Sequence, residues 1–98
     1  MSNTIRVVAR FIAMPEKVNE VKAILIELIE PTRQESGCMT YELLQHQIEP
    51  TDFTFVEEWS SKAALDTHVE STHVTAALDK LEGLLAAEPD VRYYQLLA

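Results

Sequence analysis

The spacing of apolar residues along this chain changes between a strand-like and a helix-like period, and this order constrains the fold most strongly. Residues 5–13 (IRVVARFIA) place apolar side chains on both faces of an extended segment, which predicts a strand. Apolar residues then recur between Val18 and Ile29 at intervals of three and four, which predicts an amphipathic helix. Pro31 lacks the amide donor that a continuing helix needs, so we expect a kink or restart there and a stop at Gly37.

The second half of the chain repeats this change of period. Two β-prone runs, 38–47 and 53–59, flank a turn-rich pentapeptide at 48–52, which predicts a hairpin. Two short helices are expected next, because Ser60-Ser61 and Ser71-Thr72 each precede a helical apolar pattern and carry hydroxyls that cap helix N-termini.

A last strand is predicted over residues 91–97, which completes the order β-α-β-β-α-β. This is the α+β, ferredoxin-like order with a four-stranded antiparallel sheet, and we expect a single domain over residues 1–98. The helices can cover only one face of such a sheet, although the strands carry apolar residues on both. A second copy of the chain is the economical cover, so we predict a homodimer packed through its sheet faces.

Composition argues against several classes of partner. Eight Lys and Arg residues against sixteen Asp and Glu residues give a formal net charge of −8, and no stretch is locally basic. We therefore expect neither a nucleic-acid partner nor an anionic membrane partner. No apolar stretch approaches the roughly 20 residues that span a bilayer, and no uncharged segment typical of a secretory signal precedes Arg6, so we expect a cytoplasmic protein.

The residue inventory also offers little for cofactors. The chain has one cysteine, Cys38, and two glycines. One cysteine forms no intrachain disulfide, and two glycines are too few for a phosphate-binding loop. We expect no cofactor and no metal, and we interpret Cys38 as a small buried hydrophobic residue. Arg6 and Arg10 are expected to pair with Glu42 or Glu58 across the sheet.

One face of the 53–59 strand combines a carboxyl group with aromatic rings, since Phe53, Phe55, Glu57 and Trp59 all point to the same side. Burial of that face against the helices would raise the pKa of Glu57 and make it a candidate catalytic residue. The three aromatic residues are then candidate walls of a substrate slot. A structural ion pair at Glu57 is the alternative, and a lone tryptophan is more often core than ligand platform.

His68 and His73 fall at the junction of the two short helices. On one unbroken helix their spacing would separate the side chains by about 140°, which does not favour a shared metal. The negative helix C-terminus near His68 favours imidazolium there, and the positive N-terminus near His73 favours neutral imidazole. One histidine could therefore donate a proton while the other accepts. The alternative is a hydrogen-bonded His68 at the core edge and a solvated His73.

Several stretches of the chain form a recognisable series. They are VVARF, P-x-K, EPTRQESGC, YEL, F-x-F-V-E-E-W-S-S-K-A-A-L, H-x4-H and RYYQLL, and the most specific is EEWSSKAALDTHVESTH after GC-x-x-YEL. From Ile5 to Leu97 this series resembles the antibiotic biosynthesis monooxygenase family. The resemblance implies a dimeric α+β barrel with a pocket between helices and sheet in each subunit.

The resemblance also implies an activity, the oxidation of a quinol, phenol or anthrone by O2 without metal or flavin. Glu57 and Trp59 match the E-x-W end of the family's pocket strand, and His68 and His73 match the two histidines that follow. Some members degrade haem, but Leu78 stands where the haem histidine is expected, which disfavours a haem oxygenase.

We therefore expect His73 to act as the base, with His68 and Glu57 setting its tautomer and steadying the developing charge. The same groups would also serve an isomerase, which needs no oxygen. A non-catalytic module that binds a small metabolite and a purely structural dimer are further alternatives.

Overall fold

The computed structural model describes residues 3–98 and has the predicted order of elements. Its strands are β1 (Ile5–Ile12), β2 (Cys38–Gln45), β3 (Asp52–Trp59) and β4 (Asp90–Tyr94). Its helices are α1 (Val18–Ile26), α2 (Ile29–Arg33), α3 (Lys62–Val69) and α4 (Thr72–Leu81), with one 3-10 turn at Pro15–Lys17. All strand pairs are antiparallel and the spatial order is β2-β3-β1-β4, which confirms the ferredoxin-like prediction.

The pairing register of the strands places most buried apolar residues on the face of the sheet that packs against the helices. Val7 pairs with Glu57 and Ala9 with Phe55, and Tyr41 lies opposite Glu57 on the other side of β3. Side chains on one strand alternate between the two faces, so these five residues share the helical side of the sheet. The core also includes helical residues that are fully buried or nearly so, namely Val21, Leu25, Leu28, Leu65, Ala77 and Leu81.

The opposite face of the sheet carries ion pairs. Arg6 lies 3.6 Å from Glu58, one of the two predicted partners. Arg10 instead contacts Asp52 at 2.9 Å, because Asp52 begins β3 two positions from Thr54, the residue opposite Arg10, and therefore lies on the same face of the sheet. The expected pairing of Arg10 with Glu42 or Glu58 is therefore wrong, since Glu42 lies on β2, separated from β1 by β3.

The first helix is interrupted before Pro31 rather than at it. A proline removes the hydrogen bond to the carbonyl four residues earlier, which here belongs to Glu27. The break falls at that place, between the end of α1 and the start of α2, where Leu28 donates to the carbonyl of Leu25 at 3.1 Å. Pro31 itself sits in the first turn of α2, where no amide donor is needed.

Gly37 does not end a helix, because α2 already ends at Arg33. A Cβ atom at Gly37 would collide with the Cβ of Ala64 on α3. The carbonyl of Gly37 also accepts a hydrogen bond of 2.9 Å from the amide of Ser60. Gly37 therefore permits the close approach of α3 to the start of β2.

The hairpin loop is shifted by about two residues toward the N-terminus and spans 46–51. His46 closes it, since its Nδ1 accepts hydrogen bonds from the amides of Ile48 and Glu49 at 3.1 and 3.0 Å. A further backbone bond of 2.9 Å joins the amide of His46 to the carbonyl of Asp52. The predicted strand ended at residue 47, but this histidine cap ends β2 earlier.

The last strand ends at Tyr94 rather than continuing to Leu97. Tyr94 pairs with Arg6, and β1 offers only Ile5 beyond that point, so the chain has little left to pair with. Leu96 and Leu97 are consequently exposed. Among the described residues, no helix is long and apolar enough to cross a bilayer.

Candidate active site

A cavity of about 290 Å³ lies between the sheet and helices α3 and α4. Most of its wall is aliphatic or aromatic, and the polar side chains among its lining residues are Tyr41, Glu57, His68 and Tyr93. Val91 and Tyr93 are half exposed, so the cavity opens beside β4. Its size is close to the lower end of the range for small-molecule sites, about 300–1,000 Å³.

Glu57 places a buried carboxyl in this wall, with 4% of the residue exposed. Its Oε1 accepts a hydrogen bond of 2.8 Å from Nε1 of Trp59, two residues along the same strand face. Burial raises the pKa of Glu57 to about 7, an effect that the Trp59 hydrogen bond partly opposes and the charge of Glu35 reinforces. The predicted rise is confirmed, and Glu57 is able to exchange a proton near neutral pH.

His68 is fixed by its helix and by two rings. Ser61 caps α3 by accepting from the amide of Ala64 at 3.1 Å, and His68 lies in the last turn of that helix. The imidazole packs against Trp59 with 4.5 Å between ring centroids and against the edge of Tyr41 at 5.6 Å. These contacts fix the ring in the cavity wall.

One ring nitrogen of His68 is hydrogen-bonded to a carboxylate, since Nδ1 lies 2.7 Å from Oε2 of Glu35. A nitrogen that faces a carboxylate oxygen is the protonated one, which assigns the Nδ1–H tautomer to neutral His68. Nε2 then carries the lone pair, and the described residues give it no hydrogen-bond partner. Neutral His68 therefore presents an acceptor nitrogen in a wall that is otherwise mostly apolar.

Burial lowers the pKa of His68, and the nearby Glu35 carboxylate opposes this only in part. The prediction that the helix C-terminus favours imidazolium at His68 is wrong, because loss of hydration outweighs the partial charge of a short helix. Neutral imidazole is the form that can accept a proton.

His73 contacts the same oxygen from the other side, with Nε2 2.8 Å from Oε2 of Glu35. Glu35, His68 and His73 form what we call the Glu35 cluster. Side-chain exposure within it rises from 8% at His68 to 15% at Glu35 and 25% at His73. The cluster therefore extends from the cavity to a solvent-open cleft, which is lined by Glu35, Asp66, Thr67, Glu70, Ser71, Thr72 and His73.

Two separate helices bring the histidines together. Ser71 follows α3 and caps the N-terminus of α4, where its hydroxyl accepts a hydrogen bond of 3.4 Å from the amide of Val74. The chain changes direction there, so the 140° separation expected on one continuous helix does not apply. The two imidazole centroids lie 6.1 Å apart.

The predicted site residues take different places. Phe55, Glu57 and His68 line the cavity, whereas Trp59 is fully buried beside His68. Phe53 lines a separate groove near α1 and α2. His73 lines the cleft instead of the cavity.

Glu35 and Tyr41 are site residues that the sequence reasoning did not single out. Glu35 lies between α2 and β2 in the polar run TRQES, and nothing in that run separates it from other surface carboxylates. The alternation of side chains along β2 places Tyr41 on the inner face of the sheet, and this alternation is the sequence pattern that could have indicated its role. Leu78, the position that the resemblance gives to a haem ligand, lines the cavity with a side chain that cannot bind iron.

Both a family model and individual known proteins match most of this chain. Residues 4–80 match the family model described as antibiotic biosynthesis monooxygenase. The chain is 34% identical over 73 residues to Rv0793 of Mycobacterium tuberculosis, covering 74% of this chain and 71% of that protein. It is 32% identical over 77 residues to YcnE of Bacillus subtilis, covering 79% and 81%. The names of both proteins propose a monooxygenase activity.

A third relative is longer than the matched region. The uncharacterized protein sll1783 of Synechocystis is 33% identical over 82 residues, which are 84% of this chain but only 56% of that protein. This chain thus matches little more than half of that relative's length.

Solved structures share the fold. The crystal structure of a conserved protein from Methanosarcina mazei Go1 has a TM-score of 0.88 at 36% identity, covering 94% of this chain and 91% of that one. The structure of Rv0793 has a TM-score of 0.91 at 29% identity, with 97% and 96% covered. A structure described as an antibiotic biosynthesis monooxygenase has a TM-score of 0.90 at 32% identity, with 96% and 99% covered.

Proposed function

Since the chain belongs to the antibiotic biosynthesis monooxygenase family, we propose that it is a cofactor-independent monooxygenase that oxidises a small phenol, quinol or anthrone with O2. One observation carries this proposal. A mostly apolar cavity combines an imidazole nitrogen on His68, which has no hydrogen-bond partner among the described residues, with a buried carboxyl on Glu57 that titrates near neutral pH. The wall thus offers a proton acceptor and a proton donor around space for an aromatic ring.

The chemistry needs no resident cofactor, because the substrate itself supplies the electrons. Removal of a phenolic proton gives an electron-rich phenolate, which passes one electron to O2 and forms a phenoxyl radical and superoxide. These combine at a ring carbon to a hydroperoxide. For an anthrone, the CH2 carbon becomes a carbonyl as the O–O bond breaks, and the second oxygen leaves as water with both hydrogens of the CH2 group. Anthrone and O2 therefore yield quinone and water with no external reductant.

His68 is the base in this scheme, a role that sequence reasoning gave to His73. The assignment follows from position, since His68 lines the cavity and His73 lines the cleft. Glu35 is a positioning residue, because its hydrogen bond to Nδ1 directs the lone pair of Nε2 away from the cluster. The proton acquired at Nε2 makes His68 cationic, and the adjacent carboxylate stabilises that charge.

His73 has a different role in this scheme. It contacts Glu35 on the side opposite His68 and is the most exposed member of the cluster. A proton held by the cluster can therefore reach bulk solvent through His73 without crossing the occupied cavity. His73 is a relay residue and does not touch the substrate.

Glu57 supplies the complementary function. Its Oε1 is engaged by Trp59, so in the neutral acid the remaining oxygen carries the proton. With a pKa of about 7, this acid is substantially protonated at neutral pH and can donate to an oxyanion that forms on the substrate. Phe55 and Tyr41, which stack at 4.8 Å, provide an aromatic wall beside it.

The pair His68 and Glu57 also favours one alternative function. A base and an acid facing one apolar cavity are sufficient to move a proton between two positions of a substrate, as an isomerase does. Such a reaction would proceed without oxygen. Turnover under argon that leaves the substrate's mass unchanged would identify an isomerase, and saturable binding with no product would identify a binding module.

We also propose that the chain forms a homodimer whose interface is the outer face of the sheet. Helices pack on the other face, so Val8 and Val56, which pair at the centre of the outer face, are only half buried in the single chain. Leu96 and Leu97, which follow β4, are also exposed in the single chain. Light scattering at micromolar concentration is expected to give twice the mass of 11.1 kDa, and a monomer would contradict this assembly.

Isotope labelling tests the proposed reaction. Chelator-treated protein is incubated with an anthrone or naphthoquinol under ¹⁸O₂, and the product is analysed by mass spectrometry. We expect one labelled oxygen atom per product molecule, formed faster than in a protein-free control. Label from H2¹⁸O instead of O2, or equal rates with and without protein, would contradict oxygenation by this chain.

A further inference from the structure

We infer that the Glu35 cluster is also a binding site for a divalent metal ion such as Zn²⁺, with Nδ1 of His68, Nε2 of His73 and the carboxylate of Glu35 as ligands. The potential ligand atoms of the three residues all lie within 4.8 Å of one another. Two imidazoles and one carboxylate are ligands that Zn²⁺ commonly takes in proteins, usually with a water in the fourth position.

The spacing of the ligand atoms suits a small ion. Ligands at about 2.0–2.1 Å from a tetrahedral zinc stand about 3.3 Å from each other. The two nitrogens now lie 2.7 and 2.8 Å from the Glu35 oxygen, so each distance would widen by about half an ångström. A change of this size requires only an adjustment of the Glu35 side-chain torsions, so the backbone hydrogen bonds of Glu35 to Thr32 and Cys38 can stay in place.

The surroundings favour entry of a cation. The cleft that exposes His73 and Glu35 also carries the carboxylates of Asp66 and Glu70. Lys62 pairs with Asp66 at 2.9 Å, so Glu70 is the second carboxylate of the cleft, beside Glu35, for which the described residues give no ion pair with a lysine or arginine. The chain as a whole has a net charge of −8. Local negative potential raises the concentration of cations at the cleft and supports their entry.

The ligands are held in place before any ion arrives. His68 is clamped between Trp59 and Tyr41, and His73 lies in the first turn of α4 behind the Ser71 cap. The existing hydrogen bonds already direct both imidazole nitrogens at one carboxylate. A metal ion replaces the protons that these bonds share, so binding requires little reorganisation.

Metal binding would change the chemistry of the cavity, an effect that rests on the proposed function. A metal on Nδ1 uses the lone pair of that atom, so the proton of neutral His68 must move to Nε2. Nε2 would then be a donor and could no longer accept a proton from a phenol. The ion would therefore inhibit the oxygenase, and release of the ion would restore the base.

Titration with Zn²⁺ and Co²⁺ tests the site itself. Chelator-treated protein is titrated by calorimetry with Zn²⁺, and Co²⁺ binding is followed by visible absorption. We expect one ion per chain, and at least about tenfold weaker binding in His73→Ala and Glu35→Gln. His46→Ala is the matched control, because His46 lies in the hairpin loop away from the cluster, and its affinity should equal that of wild type. Absence of saturable binding, or equal affinity in His73→Ala, would overturn the site.

A measurement on the unmutated chain covers the case in which the variants do not fold. Added Zn²⁺ is expected to shift the ring-nitrogen NMR signals of His68 and His73 and to leave those of His46 unchanged. A shift confined to His46, or no shift, would overturn the site.

The functional consequence is measured separately. Zn²⁺ is expected to lower oxygen uptake of wild type and to have at least about tenfold less effect on His73→Ala. Saturable binding without loss of uptake would overturn the inhibition and leave the site intact. Metal binding to a protein that shows no oxygen uptake when metal-free would contradict the proposed function alone.

Discussion

Nδ1 of His68 lies 2.7 Å from Oε2 of Glu35, although the two residues are 33 positions apart in the sequence. This hydrogen bond joins the segment between α2 and β2 to the last turn of α3. It fixes the tautomer of a histidine that lines the largely apolar cavity between the sheet and helices α3 and α4, and His73 extends the same contact to solvent. The orientation of the proposed base and the proposed metal site both depend on this one carboxylate.

Glu57→Gln should alter how stability depends on pH. The folded-state pKa of Glu57 is about 7, against an ordinary value of 4.5, so the neutral acid is favoured in the folded state. Its contribution is full below pH 4.5 and is lost as the pH rises toward 7, a change of roughly 3 kcal/mol. Urea unfolding of wild type between pH 4.5 and 8 should show this decline, and Glu57→Gln should show much less of it. Equal slopes in both proteins would contradict the buried acid.

Trp59→Phe should raise the pKa of Glu57 further, because the indole N–H stabilises the ionised carboxylate. Phenylalanine keeps an aromatic ring beside His68 but removes the donor. A ¹³C NMR titration of the Glu57 carboxyl should give a value above that of wild type. The loss of stability, about 1–3 kcal/mol, should be larger at pH 8 than at pH 5. Glu57→Gln as the background provides the control, since the pH dependence of the effect should disappear there.

Gly37→Ala should destabilise the fold through its collision with Ala64. Overpacking of this kind typically costs about 1–3 kcal/mol. Ala64→Gly removes the opposing Cβ, so the double variant should recover stability relative to Gly37→Ala. Chemical denaturation of the two single variants and the double variant measures the coupling. Additive losses would mean that the two positions do not meet.

Patterns with a regular period predicted the fold well. The two-residue alternation of β3 placed Phe55 and Glu57 on the inner face, and the serine caps located the starts of α3 and α4. The rise in the pKa of Glu57 followed from its aromatic neighbours on that face. These features are local, so one segment of sequence contains the information that determines them.

The composition of the site was less predictable because it depends on contacts between distant segments. Glu35 is one carboxylate in a polar run, and its role arises only where α3 packs over the chain near Gly37. The proposed choice of His68 over His73 as the base depends on which ring lines the cavity, and the charges at the helix ends do not contain that information. Pro31 disturbed the helix four residues before its own position, which displaced the expected break.

Oxygen uptake by His68→Gln, compared with His46→Gln, measures whether His68 acts as the base. Both substitutions replace a histidine with the same polar side chain, but only His68 lines the cavity. With metal-free protein and an anthrone or quinol substrate, uptake above background should fall by about 10²–10⁴-fold in His68→Gln. It should be unchanged in His46→Gln. Equal uptake by wild type and a folded His68→Gln would contradict the assignment of His68 as the base.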